Sequence, residues 1–361
     1  MKSIYINNSK LVKTVLILLI SLFSIFFTHK VLAIVAHQSI VDVYGTQKFT
    51  GDDALKKCGN IFQKISNFLQ SSQGYASQHA MDKESIYYPV IRAKLEGKEK
   101  FSYFNITPIR YQDDDNVYYT IDVVEQKDAY RLKVFLPKPD KSIPDPDGLL
   151  ASWQEYENVG WNKFRVNKEE PKQFKCPVTH CLFGFDEPEF LRFKDIFMVG
   201  AIINKSKLID ILYNDRDDDK RANAAFMLGN LTDTDEVIKI MIPAMNDSSD
   251  SVRNNVMRVI FMAVDSNKEA DFPIDSAIAA VDYPTGYDRN KAMYILYGLA
   301  QQPRYAAYLK IHAARQIMTQ LKMLQPDVHL PAYQILKRIS GKSYGERDYA
   351  TWQSWLDNKS L

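Results

Sequence analysis

Cys176-Pro-Val-Thr-His180-Cys181 puts two thiols and an imidazole within one short stretch. A zinc site uses a Cys-x2–4-Cys pair together with a second pair of ligands. No second Cys/His cluster exists, and His37, His79, His312 and His329 are scattered. A redox dithiol of the Cys-x-x-Cys kind needs fewer residues between its sulfurs. The first expectation is therefore a local disulfide between Cys176 and Cys181, with buried free thiols or a metal half-site as alternatives. The third cysteine, Cys58, falls at helical spacing with Ile61, Phe62, Ile65 and Leu69, which suits a small buried hydrophobe.

Other candidates for chemistry are weak. The runs Asp113-Asp114-Asp115 and Asp217-Asp218-Asp219 lack the ligand pattern of a calcium loop and read as solvated turns. No Gly-x-Ser-x-Gly, phosphate-binding Gly-rich loop, Gly-x-Gly-x-x-Gly or His-Glu-x-x-His is present. Glu155 and Glu157 lie among Trp153, Tyr156 and Trp161, but two residues apart on a helix they project to different sides. The tyrosines of residues 87–130 suit either a pocket or a sheet that packs one aromatic face. No catalytic set, cofactor or metal is assigned.

The N-terminus sets the expected compartment. Lys2, Lys10 and Lys13 precede an apolar run from Val15 to Phe27, and Val31-Leu32-Ala33 follows. This is the pattern of a secretory signal over residues 1–33, with an uncleaved anchor as the alternative. The run is shorter than the roughly 20 residues that span a bilayer. Without residues 1–33, whose four lysines are opposed by no acid, 42 basic residues face 44 acids. That balance gives no footprint for nucleic acid and no polybasic reason to bind lipid. The protein is expected to be exported, touching membrane only if the N-terminal segment is an uncleaved anchor.

These residues need elements to hold them. Asp52–Gln70 reads as an amphipathic helix. Ile86–Leu95, Phe101–Tyr111, Val117–Val124 and Tyr130–Leu136 read as four strands of an antiparallel meander that the helix covers. The expected fold is thus an α+β domain over 38–137. A Pro- and aromatic-rich packed linker over 138–200 follows, with a helix from Leu149 to Glu157 and an irregular stretch from Trp161 to Phe197. An all-α domain over 201–361 completes the chain.

The last domain carries a frame. Arg221, Arg253, Arg289 and His329 are each followed three residues on by Ala or Val (Ala224, Val256, Ala292, Ala332) and seven on by Leu or Ile (Leu228, Ile260, Leu296, Leu336). Their starts are 32, 36 and 40 residues apart, the period of stacked helical hairpins. Partner helices are expected at Lys207–Tyr213, Asp235–Met245, Ile274–Val281 and Tyr308–Leu324. Gly341 ends the last helix, and Trp352 and Trp355 are placed to cap the stack.

The frame, with Asp250-Ser-Val-Arg253-Asn-Asn255 and the terminal Ser340-Gly341…Gly345…Asp348…Trp352…Trp355, resembles HEAT repeats, including the phycobilisome-lyase-type HEAT-like proteins. The resemblance covers the C-terminal part only. It implies an α-solenoid that presents a protein-binding surface, here to a partner in the cell envelope or outside the cell. Two other functions stay open: a small-ligand-binding α+β domain, and a lyase by analogy with the HEAT-like lyases.

Overall fold

The computed structural model describes residues 38–70, 78–97, 100–111, 114–132, 135–167, 169 and 174–358. The signal segment expected over residues 1–33 lies outside them.

The N-terminal part is a three-stranded sheet with two helices. Strands β1 (Ser39–Tyr44), β2 (Phe101–Arg110) and β3 (Val117–Glu125) lie in the order β1-β3-β2. β3 runs antiparallel to β2 and parallel to β1, with Asp42 beside Thr120 and Tyr44 beside Asp122. Helices α1 (Gly51–Gln70) and α2 (Gln78–Glu96) pair with each other and cover the sheet. Their core joins Cys58, Phe62 and Ile65 to Ile91, Tyr119 and Ile121. Tyr119 lies 4.9 Å from the Phe62 ring, so the aromatic face of the sheet is packed.

This corrects the expected meander in three places. Residues 86–95 are helical: Tyr87, Ile91 and Leu95 recur every four residues, and Ile91 and Leu95 are buried against α1. The β-branched and aromatic content of the segment hid that stripe, and Pro89 stands inside the helix. Residues 126–132 form a 3-10 helix in place of the fourth strand. The missing strand is Ser39–Tyr44, which enters parallel to β3 and so cannot belong to a meander.

The remaining chain is helical: α3 (Leu149–Trp161), α4 (Pro188–Ile203), α5 (Lys205–Asn214), α6 (Asp218–Leu228), α7 (Thr234–Met241), α8 (Asp250–Ser266), α9 (Ile274–Ala280), α10 (Gly286–Leu299), α11 (Pro303–His312), α12 (Ala314–Leu321), α13 (Pro326–Ser340) and α14 (Tyr349–Asp357). The stretch read as irregular up to Phe197 thus ends in a helix. Pro188 sits in its first turn, where its missing N–H costs nothing. Phe190, Phe193, Phe197 and Ala201 form its buried stripe. The helix expected over 308–324 is broken at Ala313 into α11 and α12. The one expected to run to Met245 leaves α geometry at Ile242, beside Pro243. Helices α6, α8, α10 and α13 pack side by side in that order, and one core runs from Leu149 to Leu356.

Every small and large frame residue is in that core. Ala224, Leu228, Val256, Ile260, Ala292, Leu296, Ala332 and Leu336 are fully buried. The small residue allows close approach, and the larger one lies two turns on along the same stripe. Gly341 ends α13 in the left-handed region at φ 64°. Trp352 on α14 is buried and donates its indole N–H to Gly345 O at 3.0 Å, while Trp355 packs edge-on against it.

Cys176 and Cys181 form a disulfide, and Cys58 is a buried free thiol. The bridge closes a small loop whose backbone is tied to the end of α6, with Thr179 and His180 donating to Leu231 O and Gly229 O. Replacing both cysteines by serine is expected to cost about 2 kcal/mol, the loop entropy of so short a ring. Melting of oxidised and dithiothreitol-reduced protein checks this, and equal midpoints would contradict it.

Candidate functional site

The charged members of the frame are buried. Arg221, Arg253, Arg289 and His329 are all 2% exposed or less. Each arginine makes the same two kinds of contact. One nitrogen donates to a backbone carbonyl six residues earlier: Asp215 O at 2.8 Å, Asp247 O at 2.7 Å and Tyr283 O at 3.3 Å. The rest of the guanidinium reaches a carboxylate elsewhere in the chain. Arg221 grips Asp247 at 2.8 and 2.9 Å, and Arg253 grips Asp288 at 2.9 and 3.0 Å. Arg289 donates to Asp122, which is on β3 of the sheet. His329 continues the series with Leu321 O and Glu346. Charge, planarity and five donors suit arginine to this bidentate task.

The same level of the helices receives the N-terminal part. Phe135 stacks on Arg253 at 3.9 Å and Tyr44 on Arg289 at 3.7 Å. Asp122 also accepts from Gly286 N at 2.9 Å, and Asp42 accepts from Leu324 N and Gln325 N at 2.8 and 2.9 Å. Arg131 donates to Asp282 O at 2.9 Å. The helix starts at this level are therefore covered from within the chain, and the frame arginines hold structure in place.

A second set of charges, half-buried, lies on four helices: Glu157 on α3, Arg258 on α8, Lys291 on α10 and Asp327 on α13. Each feels the next electrostatically, Glu157 with Arg258, Arg258 with Lys291, and Lys291 with Asp327. Burial pushes the Glu157 carboxyl up to about 7, with Asp219 adding to the rise and Arg258 opposing it. Burial, and then Arg258, push the Lys291 ammonium down to about 8 against the pull of Asp327. Burial also raises Asp327.

The surroundings are amide and aromatic. Lys291 Nζ donates to Asn290 Oδ1 at 2.7 Å, and Asn290 Nδ2 donates to Asp327 O at 2.7 Å. Asn255 donates to Ala222 O at 3.1 Å. Phe261 and Tyr294 meet at 5.3 Å, and Arg258 stands 6.0 Å from the Phe226 ring. From the sheet side, Tyr111 OH accepts from Asp327 N at 3.2 Å. Tyr103 has its phenol raised by burial and by Asp122, Asp250 and Asp288.

A signal for this row exists in the sequence. Arg258 interrupts the apolar run Val256-Met257…Val259-Ile260-Phe261-Met262, and Lys291 directly precedes Ala292-Met293-Tyr294-Ile295-Leu296. Glu157 stands apart from its sequence neighbour Glu155. Glu155 points elsewhere, to an exposed ion pair with Arg192 at 2.7 Å. Among the described residues no group of three or more His, Cys, Asp or Glu is arranged to hold a metal, and no helix is long and apolar enough to cross a membrane. No described protein family matches the chain, and no curated protein does.

The row costs stability. Glu157 has a folded value above its unfolded one. Below about pH 4.5 the carboxyl is neutral in both states and carries no penalty. The penalty grows as pH rises toward 7 and is complete above it. Glu157→Gln is therefore expected to stabilise the protein by about 1–2 kcal/mol at pH 8 and by nothing measurable near pH 4. Urea titrations at both pH values test this. Equal effects at the two would show that ionisation is not the cause.

Proposed function

We propose that the chain is an exported, non-catalytic interaction protein. In this reading the helical part is a HEAT-like solenoid that binds a protein partner in the cell envelope or outside the cell. The observation that carries the reading is the row Glu157–Arg258–Lys291–Asp327. Desolvated charges that lower stability are characteristic of functional surfaces, because folding alone favours their replacement. The frame arginines, by contrast, are paired inside the chain.

Three further observations support the reading. The frame spacing is that of helical hairpins. The disulfide fits an oxidising compartment. The apolar run after Lys13 fits a secretory signal. The sequence carries none of the catalytic motifs sought, and no enzyme activity is proposed.

Photo-crosslinking tests it. A benzoylphenylalanine at Tyr294 in the full chain, expressed in a bacterial host, should capture a discrete protein from the envelope fraction. The same probe at the exposed Tyr130 should not capture it. Capture of the same species from both positions, or from neither, would count against an interaction surface on this face.

A further inference from the structure

Helix α4 is apolar on both sides. Phe190, Phe193, Phe197 and Ala201 are buried, and the helix packs on α3, α5 and α6. On the opposite side Leu191, Ile196, Val199, Ile202 and Ile203 are between 46% and 72% exposed. At about 100° per residue, Val199 falls in the middle of this outer face. Leu191 and Ile202 fall toward one margin, and Ile196 and Ile203 toward the other. The end helices of a stack need a polar outer face or a cover. At the C-terminal end α14 closes the core with Trp352. At the start of the stack, among the described residues, nothing does the same for α4.

We propose that α4 pairs with the α4 of a second copy of this chain, antiparallel across a two-fold axis at Val199. The area suits a dimer. A standard interface buries about 800 Å² per partner, of which about 500 Å² is apolar in a homodimer. Five aliphatic side chains exposed to this extent supply on the order of 500 Å², at about 100 Å² each. The spacing suits it as well. Ile196, Val199 and Ile203 stand three and four residues apart, which is the spacing of a knobs-into-holes seam.

Self-complementarity points to a second copy, since a two-fold contact uses one patch twice. Ile196 and Ile202 are equally far from Val199 along the helix, so each lies level with the other on the partner. Charge sets the direction. A parallel pair would hold Asp195 against Asp195 and Arg192 against Arg192, and would align two helix dipoles. The antiparallel pair moves the like charges apart and opposes the dipoles. Val199 alone meets its own copy.

The full chain, recovered after export from a bacterial host, is sedimented to equilibrium at micromolar concentration and should show twice the chain mass. Val199→Lys places two ammonium groups face to face on the axis and should raise the dissociation constant at least tenfold. Its melting when dilute should match the parent, because Val199 is exposed in the single chain. Lysine at the exposed Ile311 on α11 should leave the dimer intact. Val199→Cys should give a disulfide-linked dimer on oxidation, and Ile311→Cys should not. A monomer at every concentration, or a dimer that survives Val199→Lys, would overturn the pairing. A dimer lost in Val199→Lys but not linked by Val199→Cys would overturn the axis. A monomer that floats with phosphatidylglycerol vesicles, and no longer does so in Val199→Lys, would assign the face to lipid instead. The Tyr294 crosslinking test lies on α10 and is decided separately.

Discussion

Asp122→Ala should destabilise the protein by about 3–5 kcal/mol, the cost of leaving a buried cation without its partner. Arg289 is 1% exposed and Asp122 is fully buried, so water cannot take over the lost contact. Its remaining partners are the carbonyls of Tyr283 and Pro284 at 3.3 and 3.2 Å and the face of Tyr44, none of which carries a compensating charge. The second half of the prediction separates charge from packing. Adding Arg289→Met to Asp122→Ala should recover most of the loss, because an apolar chain of similar length has no charge to strand. Guanidinium denaturation of both variants gives the comparison. A double variant no more stable than the single one would mean that the pair's role is geometric and not electrostatic.

Trp352→Ala should cost a further independent amount of about 3–5 kcal/mol, the range for deleting a large buried aromatic. Trp352 is fully buried, touches the rings of Tyr333, Tyr344 and Trp355, and satisfies Gly345 O through its indole N–H. Trp355 is half-buried and Lys310 lies over its ring at 4.6 Å, so Trp355→Ala should cost clearly less. Thermal melts of the two variants rank them. Equal losses would show that both tryptophans close the end of the core together.

How much of this was legible in the sequence depends on what each segment had to satisfy locally. The frame was legible because one stripe of residues at fixed spacing recurs, and packing fills each of those positions with a buried side chain. Gly341 and the spacing of Trp352 and Trp355 are local signals as well, and in the structure Gly341 ends α13 and Trp352 is buried. The sheet was half legible. β2 and β3 are rich in β-branched and aromatic residues, but α2 uses the same residue types on a helical stripe, and composition cannot tell the two apart. β1 escaped notice because a six-residue strand signals weakly and its parallel partner lies far along the chain.

The carboxylate partners of the arginines were hidden for a different reason. Asp247 and Asp288 stand in loops and helix starts where acids are ordinary caps, and Asp122 stands in a strand. Their pairings span 26, 35 and 167 residues and belong to the fold as a whole. The row from Glu157 to Asp327 is of the same kind. Arg258 and Lys291 stand out locally against apolar runs, but Glu157 and Asp327 read as solvated surface charges, and their interactions with those bases cross between helices.

The separation of Asp122 from Arg289 also bears on the order of events while the chain is being made. Synthesis delivers the sheet first, and its central strand carries a carboxylate whose salt-bridge partner Arg289 is 167 residues away. Until α10 exists, that carboxylate stays in water, and the sheet cannot close its face against the helices. The N-terminal part is therefore expected to stay open until the last third of the chain is made. A released chain truncated before Gly286 should leave it accessible to protease, and the full chain should not.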